Sequence, residues 1–288
     1  MRADPTFLAQ TKEFWAHIRT ISQQVGYTQR GEGTIKVPTL AEIGSALLAL
    51  ELSTRQIVSE HGVVTPFGQV VLNYFAFRAR VLNGTVQAQL MDRAAAERSF
   101  TRLKRKLNPK CPLPMNKQSG EKKNFAFFTG IVNMLIEAGI EGSPCDYDPR
   151  ALTTITRDSM PLRTLARRVD GAFPTAVNPI SIWEIKEYYY TTTFGSRVAD
   201  GVYETLLDGM ELEELAASTG YQIDHVLFID GHYTWWGCGR SYLCRMIDML
   251  HMGYVDEIIF GNEVIDRLPL LVQEWMKKRH SILDKSAR

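Results

Sequence analysis

The residues with the most chemistry to offer in this 288-residue chain are Asp170, Glu184 and Lys186. Glu184-Ile185-Lys186 closes the apolar run Ile180-Ser181-Ile182-Trp183, and Asp170-Gly171 stands 14 residues before the glutamate. In a strand, alternate side chains share one face, so Glu184 and Lys186 point one way while Trp183 and Ile185 point into the core. A hairpin at Gly171 would bring the Asp170 carboxylate beside Glu184. Two neighbouring carboxylates repel, and a divalent cation between them removes the conflict. Mg²⁺ prefers hard oxygen ligands, which Asp170, Glu184, the Ile185 backbone carbonyl and a phosphate oxygen would supply, with Mn²⁺ as a substitute. The Lys186 ammonium would then offset charge that develops on a scissile phosphate, or help orient the nucleophile. This is the equipment of metal-dependent phosphodiester hydrolysis.

The pattern resembles the PD-(D/E)xK nuclease motif, with Asp170 as first acid, Glu184 as second and Lys186 as the lysine. The resemblance covers roughly residues 165–262 and is most similar to type II restriction endonucleases. It implies an α/β fold, a restriction-endonuclease-like mixed-sheet core flanked by helices. It also implies a Mg²⁺-dependent, sequence-specific endonuclease acting on double-stranded DNA as a two-fold symmetric homodimer. Val169 stands where the family has proline, and Asp146, Asp148 and Asp158 remain rivals for the first acid. Related enzymes often place a further acid on the helix after the motif, where Glu204 is favoured over Asp200, and Arg197 would touch the scissile-strand phosphate. Glu121-Lys122-Lys123 also spells ExK, but no strand precedes it. The bland alternative for Glu184 and Lys186 is an ion pair on an exposed edge strand.

These residues need a scaffold, and the chain changes texture along its length. Helices are predicted from Phe7 to Gln24, from a Thr39–Glu42 capping box to about Leu52, and from Phe67 to about Leu82. Two more follow, from about Val86 to Leu107 and, capped by Asn124, from Phe125 to Ala138. After Gly142, apolar runs at Ile180–Ile185, His225–Ile229 and Glu257–Phe260 read as strands. Helical stretches at about Ser196–Ser218, Arg240–Met252 and Glu263–Lys278 alternate with them. The expected division is an amino-terminal helical lobe, residues 1–142, and an α/β nuclease core, residues 143–288.

Charge adds a candidate DNA grip. The chain as a whole carries a formal charge of only +1, which by itself argues for no polyanionic partner. Yet nine basic side chains and one acid lie between Arg98 and Lys123. Arg102, Lys104, Arg105, Lys106, Lys110, Lys117, Lys122 and Lys123 of this stripe are candidate phosphate contacts, together with Arg197 and Arg240 elsewhere. A solvated helix face is the competing explanation. The loop Trp235-Trp236-Gly237-Cys238-Gly239-Arg240 could stack on or read bases, although the tryptophan pair suits an anchor slightly better. Four scattered cysteines form no disulfide framework, and x₅ spacing sets Cys238 and Cys244 on different helix faces, against zinc. No P-loop, dinucleotide fingerprint or nucleophile elbow occurs, so no nucleotide cofactor is expected. Neither a secretory leader nor a membrane span is visible, and a cytoplasmic protein is expected. Two other readings stay open: a nuclease of DNA repair, junction or phage-defence type, and a non-catalytic DNA-binding protein.

Overall fold

Local capping chemistry sets the first helices. The computed structural model describes residues 1–29, 31–116, 124–189 and 196–286, without the side chains of residues 196, 197, 285 and 286. A short turn α1 (Pro5–Leu8) precedes α2 (Lys12–Val25), and Thr11 closes the latter's free amides. The reciprocal Thr39–Glu42 box opens α3 (Leu40–Leu48), and Thr65 caps α4 (Pro66–Arg80). The chain then passes through a π-helical segment, Val81–Val86, and one turn, α5 (Gln87–Gln89). The long helix expected from Val86 is thus interrupted: Leu90 is extended, and Asp92 caps a new helix, α6 (Arg93–Leu107). Helix α7 (Phe127–Gly139) follows, its first turn unsupported by any side-chain cap from its own N-cap residue, Ala126.

Beyond Gly142 the strands are β1 (Asp146–Tyr147), β2 (Thr154–Arg157), β3 (Met160–Thr164), β4 (Gly171–Phe173), β5 (Ser181–Lys186), β6 (Asp224–Ile229) and β7 (Glu257–Phe260). Helices α8 (Ser196–Thr219), α9 (Arg240–His251) and α10 (Val264–Ser286) alternate with the last of them. Five strands form a mixed sheet in the order β1-β4-β5-β6-β7, antiparallel up to β5 and parallel from β5 to β7. Strands β2 and β3 make a separate hairpin. The fold class is therefore α/β with a mixed sheet and helices on both faces.

Apolar clusters show how the layers are held. On one face, α6 and α7 pack with α10 against Phe173, Trp183 and Phe228, and the Trp183 and Trp275 rings stack 5.6 Å apart. The 142/143 boundary of the sequence reading therefore runs through one continuous cluster that holds helices before it and strands after it. The other face carries α8 and α9 over Leu227, Ile229 and Ile258. A third cluster joins α2, α3 and α4 around Phe14, Trp15 and Tyr74. That helical group is tied to α9 by a buried pair, in which Arg78 donates to both Asp248 oxygens at 3.0 and 3.1 Å and the Tyr74 hydroxyl donates to the same carboxylate at 2.6 Å. Among the described residues no helix is long and apolar enough to cross a membrane.

Candidate active site

Position in the sheet decides what Glu184 and Lys186 can be. Strand β5 is third of five, with β4 on one side and β6 on the other, so the pair does not sit on an exposed edge. Glu184 opposes Leu227 and Lys186 opposes Ile229 across the parallel ladder, and the two side chains are 1% and 4% exposed. Burying a charge is expensive unless it is paired, and both are. The Lys186 ammonium donates to Glu184 Oε2 at 3.0 Å and to Glu204 Oε2 at 3.1 Å. Helix α8 passes over the lysine stem at Gly201, where a Cβ would stand in ordinary contact, 3.4 Å from Lys186 Cδ.

Asp170 arrives from the other neighbour. Gly171 packs flat on the Trp183 indole, where any Cβ would lie 2.1 Å from ring atoms, so β4 can hug β5 only with glycine at this place. Asp170 N donates to the Trp183 carbonyl, and Asp170 Oδ2 accepts from Ile185 N at 2.7 Å. Because N–H and C=O of one strand residue point the same way, the Ile185 carbonyl is directed to this same side. Of the rival acids, Asp146 is spent on the Ala176 amide and Asp158 sits in the β2–β3 turn. Asp148 lines the same cleft as Asp170, its N–H donating to the Asp170 carbonyl at 2.9 Å and its carboxylate 3.5 Å from Arg150. Both acids therefore stand near the Ile185 amide side of β5.

A residue not singled out from the sequence completes the centre. Arg167 lies in the irregular segment between β3 and β4 and meets Glu184 with one nitrogen per oxygen, both at 3.0 Å. Its Nη1 also reaches Asp208 Oδ2 at 2.6 Å, and its Nη2 lies 3.5 Å from Glu204 Oε2. Burial works against the Glu184 charge, but Lys186 and Arg167 outweigh it and hold the carboxyl below its usual range. Lys186 is held above its ordinary value, since Glu184, Asp170 and Glu204 overcome the effect of burial. Asp170 and Asp208 go the other way, each pushed to about 7 by loss of hydration first and then by the Glu184 charge. Asp208 is fully buried, whereas Asp170 is exposed along the cleft, so its shift is the more screened of the two. One carboxylate is therefore fixed as an anion while two neighbours share the cost of crowding, which is the pattern expected where acids are gathered for a task.

Divalent-metal fit can be judged from these donors. Among the described residues no group of three or more His, Cys, Asp or Glu side chains gathers at metal-binding distance. Asp170 and the Ile185 carbonyl offer hard oxygen donors on one side of β5, while both oxygens of the buried Glu184 already face Lys186 or Arg167. The raised Asp170 carboxyl is the group a cation would relieve. Glu184 Oε1 accepts no aligned hydrogen bond, although the Arg167 guanidinium stands beside it. By donor type, oxygen ligands of this kind suit Mg²⁺ or Mn²⁺ rather than a softer metal, and Glu204 lies close by through Lys186.

Asp170 and Ile185 open onto a cleft of 590 Å³. Its far wall is Pro112 to Asn116, the chain leaving the basic helix, and its floor includes Thr129, Glu187 and Tyr188. Glu187 explains the missing cap on α7: its Oε2 accepts from Thr129 N at 2.9 Å and from Thr129 Oγ1 at 2.8 Å. The expected cap, Asn124, serves elsewhere, its carbonyl accepting from Asn116 N at 2.8 Å.

The basic residues divide. Arg98, Arg102 and Arg105 lie at helical spacing on one exposed face of α6 and line a shallow groove, and Lys106 and Lys110 are exposed nearby. Lys104 is exposed too, but its ammonium stands 4.5 Å over the Phe125 ring. Lys117, Lys122, Lys123 and the Arg197 side chain lie outside the described residues. Arg240 is engaged far from the cleft, donating to the Gly33 carbonyl at 2.6 Å and lying over Trp236. Trp235 and Trp236 are buried, and Trp235 Nε1 donates to Asp230 at 2.9 Å, so the pair anchors its loop rather than facing a ligand.

Two family matches divide the chain differently from the sequence reading. A family described as a domain of unknown function (DUF7687) matches residues 91–275, and a second domain of unknown function (DUF7690) matches residues 1–85. No curated protein and no solved structure matches the chain.

Proposed function

This chain belongs to the DUF7687 family, and we propose that it is a Mg²⁺-dependent endonuclease of restriction-endonuclease-like fold that hydrolyses double-stranded DNA. The observation that carries this reading is the meeting, at one end of β5, of the Glu184–Lys186 pair with the Asp170 carboxyl on the Ile185 amide. Asp170, Glu184 and the Ile185 carbonyl would hold the metal, with Glu204 as a further acid in reach. Bound Mg²⁺ supplies positive charge for the phosphate oxygens and a more acidic water. In the hydrolysis a water oxygen would bond to phosphorus as the bond to the 3′-oxygen breaks in line, the water giving its proton to solvent and the 3′-oxygen taking one from solvent. Lys186, kept protonated by its neighbours, offsets the charge on the transition state. Arg167 keeps Glu184 ionised and aimed until DNA and metal arrive.

Arg98, Arg102, Arg105, Lys106 and Lys110, exposed on and just after α6, would grip the duplex backbone. Cutting both strands with one centre per chain calls for a homodimer on a palindromic site, acting in the cytoplasm as restriction enzymes do. The test offers labelled duplex, single-stranded and flap DNA to the purified protein with Mg²⁺ or EDTA. Mg²⁺-dependent cleavage of duplex at discrete positions is expected. Preference for flaps or single strands would move the substrate to repair, junction or phage-defence DNA. Binding without cleavage of any of them would leave a DNA-binding protein and overturn the catalytic reading.

A further inference from the structure

A second cavity, of 460 Å³, lies where the two family-matched segments meet, between α2 and the loop after it on one side and α8 and α9 on the other. We propose that it binds a nucleoside phosphate, independently of whether the Glu184 centre cuts DNA. Two arginines, Arg19 and Arg245, line the space, and Arg19 Nη2 donates to the Met252 sulfur at 3.4 Å. The single acid in its wall, Asp248, is already neutralised by Arg78 and bonded by Tyr74, so the net charge offered to a ligand is positive. Arg245 is half-buried with its guanidinium 5.6 Å over the Tyr27 ring and 5.4 Å over the Tyr242 ring, which holds its fork against the wall. A pre-organised guanidinium of this kind suits a phosphate, since its donors match the oxygen spacing.

The remainder of the wall argues for more than a bare anion. Tyr27 and Tyr203 bring aromatic surface, Leu206 adds an aliphatic side, and Gln23 offers an amide that can pair with a base edge. A volume of 460 Å³ lies within the range of small-ligand pockets, about 300–1,000 Å³, and far exceeds what a phosphate ion fills. An aromatic, hydrogen-bonding, anionic ligand of that size is a nucleotide.

Isothermal titration of the full-length protein with AMP, ATP, adenosine and inorganic phosphate reads this out. Saturable binding of AMP or ATP is expected, with adenosine and phosphate each at least about tenfold weaker, because either half forgoes one set of contacts. Arg19→Glu, at an exposed position that leaves the core untouched, and Arg245→Gln should each weaken nucleotide binding about tenfold or more, the loss expected for one charge-assisted contact. Far-ultraviolet circular dichroism checks that Arg245→Gln is folded, and Arg19→Glu decides the matter if it is not. No saturable binding up to about 1 mM, equal binding of phosphate alone, or unchanged affinity in Arg19→Glu would overturn the assignment.

Discussion

Asp170→Asn should make the metal-free protein more stable at alkaline pH while abolishing its activity. The Asp170 carboxyl titrates at about 7 in the folded chain, against 3.8 ordinarily, because loss of hydration and the Glu184 charge oppose its ionisation. A folded-state value raised above the unfolded one means stability that is complete below about pH 4 and lost as pH rises through about 7. A shift of this size would correspond to roughly 4 kcal/mol in a sealed site. Asp170 opens onto the cleft, so screening leaves about 1 kcal/mol. Asparagine keeps an oxygen for the Ile185 amide but carries no charge. Urea unfolding in EDTA should therefore show the variant gaining on wild type as pH rises from about 4 and ahead by about 1 kcal/mol at pH 8. The raised Asp208 and Asp230 carboxyls are common to both proteins and cancel in the difference. Mg²⁺ should then stabilise wild type and leave Asp170→Asn unmoved, since a ligand stabilises only the state that binds it. A variant less stable than wild type at pH 8, or a difference that does not change with pH, would refute the crowded-carboxylate argument.

Other perturbations probe the neighbours. Arg167→Ala leaves Glu184 and Asp208 without their shared cation and should cost about 3–5 kcal/mol in equilibrium unfolding, the range for breaking a buried pair. Gly171→Ala drives a methyl into the Trp183 indole and should cost about 2 kcal/mol or more in the same assay. Replacing Arg98, Arg102 and Arg105 together by alanine should weaken DNA binding at every sequence. It should also flatten the slope of log K against log salt by about 3 in fluorescence anisotropy, since each lost phosphate contact removes nearly one unit.

Much of the centre was legible because strand alternation and the short spacing within Glu184-Ile185-Lys186 are local. The three core strands β5, β6 and β7 match the apolar runs to within a residue, and the Thr39–Glu42 box forms as its residue types require. Strand β4 escaped because Gly171–Phe173 is only 3 residues long and buried throughout, so it shows no alternation. Arg167 escaped for a different reason. It lies in an irregular segment, and its partners Glu184, Glu204 and Asp208 are 17, 37 and 41 residues away, a pairing that only the tertiary fold creates. The α7 cap failed likewise, since Glu187 supplies from 58 residues away what Asn124 was expected to provide nearby. Helical spacing set Asp200 and Glu204 on one side of the helix, the resemblance implied a further acid there, and it is Glu204 that meets the Lys186 ammonium.

Incubating supercoiled plasmid with wild type and with Lys186→Ala, in Mg²⁺ and in EDTA, puts the central claim to its most direct test. Arg167 still pairs with Glu184 in the variant, so it should fold, and a circular dichroism spectrum confirms that on the same sample. Linear product from wild type in Mg²⁺ alone, with the variant slowed at least about 100-fold as for loss of a positioned charge at the reacting phosphate, is the expected result. Equal cleavage by both proteins, or cleavage that persists in EDTA, would contradict a metal-dependent centre built on Asp170, Glu184 and Lys186.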